Sequence, residues 1–194
     1  MNPEARVRGA TAEPLFTPAR AVRQVIGIAL GALLVAVSAQ VVVPLPLTPV
    51  PFTLQPLAVL IVGGLLGGAA GVAALVVYLA LGILGLPVFA GGGSGVLRLL
   101  GPTGGYLLAF PVAAGITGVL VGRAPGSALR VLAATAIGMV IIHLGGVAQL
   151  AALGGDPALA FRVGFVPFLT GDLLKVGLAA AVILAVGPRL RPLL

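Results

Sequence analysis

The chain has 194 residues, of which 60% are hydrophobic and 8% charged, with a mean hydropathy of +1.25. A soluble globule of 19.0 kDa has too little interior to hide that much apolar surface, so the solvent for most of this chain is lipid. The net charge of +7 then marks a cytoplasmic membrane face rather than a nucleic-acid surface; the absence of cysteine excludes disulfide and thiol chemistry, and one histidine with four carboxylates leaves little for metal-ion or acid–base catalysis.

Residues 1–21 are polar, carry Arg6, Arg8 and Arg20, and are predicted to form a cytoplasmic tail. A spanning helix needs about 20 apolar residues. The first candidate runs over 22–43. Val37-Ser38-Ala39 gives this segment some likeness to a cleaved signal peptide, but the rest of the chain is equally apolar and argues for a retained span. "PLPLTPVPFT" follows, and its prolines at 44, 46, 49 and 51 forbid a helix. Apolar, non-helical backbone at membrane depth must be covered by protein or line a cavity, so this stretch is expected to fold back over the bundle.

Spans two and three are expected over 53–68 and 70–87, divided by "GGLLGGAAG". "FAGGGSGVLRLLGPTGG", 89–105, reads as a Gly-rich loop. It has no strand followed by a Lys-Ser/Thr ending, so it is not a nucleotide-binding loop. Span four is expected over 105–122 and span five over 129–152, with a basic turn between them. "LGGDPALAFRVGF" reads as a loop, the sixth span runs over 167–187, and residues 189–194 form a second tail. The predicted fold class is therefore an all-α membrane protein, one six-helix transmembrane domain over 22–188 with both termini cytoplasmic. That topology puts Arg6, Arg8, Arg20, Arg23, Arg123, Arg130, Arg189 and Arg191 on one side and Arg98 and Arg162 on the other, the asymmetry the positive-inside rule demands.

The sixth span carries Asp172 and Lys175 close to its outer end. Three residues apart, they share a helix face. An ionisable group in the bilayer is expensive, so the pair either neutralises itself to hold the bundle or reads a ligand. Other polar groups fall at the same level: Arg98 and the Gly-rich loop, Thr48 and Thr53, Gln55 at the head of span two and Tyr106 at the head of span four. Gln55 and Tyr106 are equally compatible with interfacial anchoring. Polarity gathered at one mouth, with the inner halves almost wholly Ala, Leu, Val and Gly, suggests a capture pocket rather than a pore. His143, deep in span five, is expected to be hydrogen-bonded between helices rather than catalytic.

Four stretches, "PLPLTPVPFTLQPLAVL", "LGILGLPVFAGGGSG", "LLGPTGGYLLAF" and "PFLTGDLLK", resemble in order and spacing the BioY family, the biotin-binding S components of energy-coupling factor (ECF) transporters. The likeness extends over about residues 25–187. It implies six transmembrane helices in a prokaryotic plasma membrane, a biotin pocket near the outer surface, no catalytic activity and no cofactor or metal, and partnership with a transmembrane T component and two ATPase subunits. Asp172 and Lys175 of "GDLLK" would bind the ligand. Span five departs from the family pattern, offering His143 and Gln149 where aromatic residues are common. "ALLVA" matches a family Ala-xxx-Ala motif, which implies that Ala32 and Ala36 contact the T component from an exposed face of helix one.

The side-chain chemistry suits biotin independently. A urea offers N–H donors beside a carbonyl acceptor, which an aspartate and a lysine complement. The carboxylate of the ligand requires a cation, either Arg98 or Lys175. Thr53, Gln55 and Tyr106 complete the candidate ligand-binding set. An S component for another small metabolite, and an ion-coupled carrier or channel, are the competing functions.

Overall fold

The computed structural model describes residues 18–123 and 126–191. Arg6, Arg8 and most of the expected N-terminal tail lie outside the described residues, as do 192–194 of the C-terminal one.

Helix α1 spans Pro18–Ser38, and Pro18 suits a first helical turn because its missing N–H would have had no intrahelical partner. A two-stranded antiparallel hairpin follows, β1 (Val42–Val43) with β2 (Phe52–Thr53), in register Val42 to Thr53 and Val43 to Phe52. The expected first span therefore stops about five residues early. Its last valines become a strand, and the hairpin clamps both ends of the proline-rich stretch.

Helix α2 (Gln55–Leu66) and helix α3 (Gly68–Ile83) turn about the single residue Gly67, whose φ of +84° few side chains tolerate. The chain then passes a 3₁₀ turn (Ala90–Gly92) and the short helix α4 (Leu97–Leu100) before helix α5 (Gly104–Gly122) and helix α6 (Ala128–Gly154).

The loop expected after span five is instead largely helical. Gly155, at φ +70°, closes α6; Asp156 then caps α7 (Pro157–Gly164), its Oδ1 accepting from the amides of Ala158 and Leu159 at 2.9 and 3.0 Å. A 3₁₀ turn (Val166–Phe168) leads into helix α8 (Leu169–Leu190).

Among the described residues, four apolar helical segments have the length and hydropathy to cross a bilayer: Pro18–Ser38, Gly104–Gly122, Ala128–Gly154 and Pro157–Leu190, the last made of α7, the turn and α8. Helices α2 and α3 are shorter, with 12 and 16 residues, or roughly 18 and 24 Å. The exposure pattern is that of a protein dissolved in lipid. On α1, Val22, Val25, Ile26, Leu30, Leu33 and Val37 are all more than half exposed, while its buried positions are Gly31, Ala32 and Val35.

At α1 the structure differs from expectation in exposure: Ala32 is 3% exposed and sits in the main core cluster, Ala36 is partly buried against that cluster, and Ala29 near the helix start is exposed. The reason is physical: where the solvent is apolar, large aliphatic side chains can face outward and small ones mark the line where backbones approach.

Helix α5 packs on α6, α3 and α2; α8 closes against α2 and α6; α1 lies against α3 and α2. Arg20, Gly67, Gly122 and Arg191 line one depression, so the start of α1, the α2–α3 turn, and the ends of α5 and α8 gather at one end of the bundle. The loops that carry the candidate site residues lie at the other end.

Candidate functional site

A cavity of about 420 Å³ opens among the hairpin, α2, α4, α5, α6, the 166–168 turn and α8. That is within the range, roughly 300–1,000 Å³, that encloses a small molecule. All six candidate ligand-binding residues line it: Thr53, Gln55, Arg98, Tyr106, Asp172 and Lys175.

Two glycines set the approach of α5 to α6. A Cβ on Gly105 would strike the Gly145 carbonyl, and a Cβ on Gly145 would strike the Gly105 carbonyl. Because the backbones meet there, Tyr106 lies over Gly146 and beside His143, with the Tyr106 and His143 rings edge to face at 6.0 Å.

Asp172 and Lys175, each 5% exposed, form the ionic part of the wall. Lys175 Nζ donates to Asp172 Oδ1 at 2.9 Å and also stands 3.6 Å from the centre of the Phe52 ring. Phe52 in turn lies parallel to Phe168, 6.4 Å between centroids. The other carboxylate oxygen, Oδ2, is 2.6 Å from His143 Nε2. A buried charge survives only when it is paired, and Asp172 is paired from two helices. His143 is thus hydrogen-bonded between helices as its position suggested, but it also lines the cavity and belongs to the site.

The remaining candidates divide into walls and supports. Gln55 Nε2 donates to the Tyr78 hydroxyl at 2.6 Å, Tyr78 donates to the Val88 carbonyl at 3.2 Å, and the Thr53 hydroxyl donates to Gln55 Oε1 at 3.3 Å. This network locks the amide of Gln55 while leaving one of its N–H groups uncommitted. The Tyr106 hydroxyl donates to the Gly164 carbonyl, so Tyr106 offers the cavity mainly its ring and ties α7 to α5. Arg98 is exposed on α4, its guanidinium packed over Gly93, where a Cβ would crowd it. Gln149 does not line the cavity. Its Nε2 donates to the carbonyls of Leu99 and Gly101, at 2.8 and 2.6 Å, and so pins the segment that carries Arg98.

Val50, Phe89, Leu107, Phe110, Ile142 and Phe168 supply the apolar lining. The aromatics among them were not singled out from sequence. Phe89 follows the third span, and a Cβ on Gly82 would strike its ring, so the glycine in "LGILGLPVF" was the signal that a large side chain folds back there. Among the described residues, no buried side-chain N or O atom lacks a partner, and no His, Cys, Asp and Glu cluster has the make-up of a metal site.

A lipid-dissolved helical bundle with an apolar cavity, a buried carboxylate–ammonium pair in its wall and an arginine nearby defines a membrane protein that holds a small molecule. The sequence model of the BioY family matches residues 8–192, and the chain belongs to that family. It is 40% identical over 158 residues to the probable biotin transporter BioY of Pyrococcus horikoshii, a match covering 81% of this chain and 91% of that one. It is 42% identical over 142 residues to the biotin transporter BioY of Thermotoga maritima, covering 73% and 83%. The fold matches a 2.1 Å crystal structure of the S-component for biotin from an ECF-type ABC transporter with a TM-score of 0.84, at 23% identity, over 90% of this chain and 95% of that one.

Proposed function

We propose that this chain is the biotin-binding membrane subunit of an ECF-type vitamin uptake system. The observation that carries the reading is the Asp172–Lys175 pair in the wall of a 420 Å³ cavity whose other walls are largely apolar. The carboxylate accepts from the ureido N–H groups and the ammonium donates to the ureido carbonyl, while the aromatic and aliphatic walls take the bicyclic ring and valeryl chain. The ligand carboxylate meets Arg98. Thr53 and Gln55 offer polar contacts beside the rings, and Tyr106 covers one face.

The same reading gives the topology. Six helices, α1, α2, α3, α5, α6 and α8, alternate in direction, with the loops around α2 and α3 completing what those short helices do not cross. Arg20, Arg23, Arg123, Arg130, Arg189 and Arg191 fall at the end opposite the cavity, and Arg98 and Arg162 at the cavity end. The positive-inside rule puts the first group in the cytoplasm of a prokaryotic plasma membrane and opens the cavity outward. The sequence holds no nucleotide-binding loop, so ATP-driven uptake needs a T component and two ATPase subunits as partners.

Titration calorimetry of the purified protein in nanodiscs tests the ligand. Biotin should saturate it at one site per chain, and a panel of other vitamins should not compete. Saturation by a different vitamin, with biotin inert, would reject biotin as the ligand.

A further inference from the structure

His143 stands between two acceptors. Its Nδ1 is 3.2 Å from the Gly164 carbonyl, and its Nε2 is 2.6 Å from Asp172 Oδ2. An ionised carboxylate only accepts, so the hydrogen bond to Asp172 is donated by Nε2–H.

The ring has little room to turn away. It is packed edge to face against Phe165 at 4.9 Å and Tyr106 at 6.0 Å, and tilted against Phe168 at 6.0 Å. The ionisable groups around it are few. Helix α8 presents Asp172 and Lys175, α5 presents the Tyr106 hydroxyl, and α4 brings Arg98 to the same cavity; α7 and the 166–168 turn offer a carbonyl and phenylalanines.

We infer that His143 is the positioning residue that aims Asp172 at the ligand, holding one carboxylate oxygen so that the other faces Lys175 and the ligand. The inference rests on the biotin reading above.

The test is biotin affinity in nanodiscs for the natural chain, His143→Gln and His143→Leu, with thermal unfolding of each in the absence of ligand. His143→Leu should bind at least about tenfold more weakly. His143→Gln, which restores a neutral donor to Asp172, should recover part of that loss. Natural affinity in His143→Leu overturns the inference and leaves the biotin reading standing. A loss in His143→Gln as large as in His143→Leu also overturns it, since a donor to Asp172 is then not what the site requires. Absence of biotin binding by the natural chain sinks both.

Discussion

Asp172 and Lys175 lie one turn apart on α8, with Lys175 Nζ 2.9 Å from Asp172 Oδ1, and both are shielded from solvent. Asp172 is the carboxylate that compensates Lys175, while Asp172 itself is held by both Lys175 and His143. Breaking a buried pair by removing one member costs about 3 to 5 kcal/mol, because the survivor is left uncompensated. Asp172→Asn and Lys175→Ala are therefore expected to abolish biotin binding at micromolar ligand while the protein still inserts in the membrane. Equilibrium binding on purified variants checks this, and near-natural affinity in either would remove the pair from the site.

Arg98 gives a prediction about the other end of the ligand. It is exposed at the edge of the cavity, where an ion pair is weakened by water, so its contribution is modest, about 1 kcal/mol or less. Biotin methyl ester should bind the natural protein several-fold more weakly than biotin. Arg98→Ala should bind acid and ester about equally. Full retention of the preference for the acid in Arg98→Ala would assign the carboxylate to Lys175.

Gln149 acts on the same end indirectly. Its amide ties α6 to the carbonyls of Leu99 and Gly101, on either side of the end of α4. Each such bond is worth about 1 kcal/mol net. Gln149→Leu should loosen residues 97–103, seen as faster amide exchange confined to that segment, and should weaken biotin binding several-fold. The preference for the acid over the ester should shrink with it. Unchanged exchange in this segment would show that the loop is held by other contacts.

The parts of this protein legible in the sequence were those written into local chemistry. Asp172 and Lys175 were legible because charge is so costly in an apolar helix, and the folded-back proline stretch because proline forbids the alternative. Asp156-Pro157, a cap followed by proline at the first position, reads as part of a loop in the sequence, and α7 begins there instead. The His143–Asp172 contact was not legible. It joins residues 29 apart, on α6 and α8, and the relative height of two packed helices is not written in either one's sequence. The role of Gln149 was not legible for a related reason: its partners are backbone carbonyls of a loop, which carry no side-chain signature.

The inward turn of Ala32 yields the last prediction. Sequence spacing places Ala29, Ala32, Ala36 and Ala39 along one side of α1, but not which way that side faces. In the structure Ala32 and Ala39 are buried and Ala36 is partly so, while Ala29 near the helix start is exposed. Gly31, beside Ala32, already lies so close to Ala74, Leu66 and Val62 that even a Cβ would press on them. An indole at position 32 has no room without moving α1 off the bundle, and overpacking of this kind costs about 1 to 3 kcal/mol or more. Ala32→Trp is expected to lower the thermal stability of the detergent-solubilised protein and to reduce biotin binding along with it. Leu33→Trp is the matched control: Leu33 is 57% exposed on the lipid side, and the change there should leave stability and binding near natural values. Thermal unfolding with and without biotin measures both. If Ala32→Trp were as stable as the control and bound biotin normally, α1 would have to sit differently in the membrane, with the alanine face free.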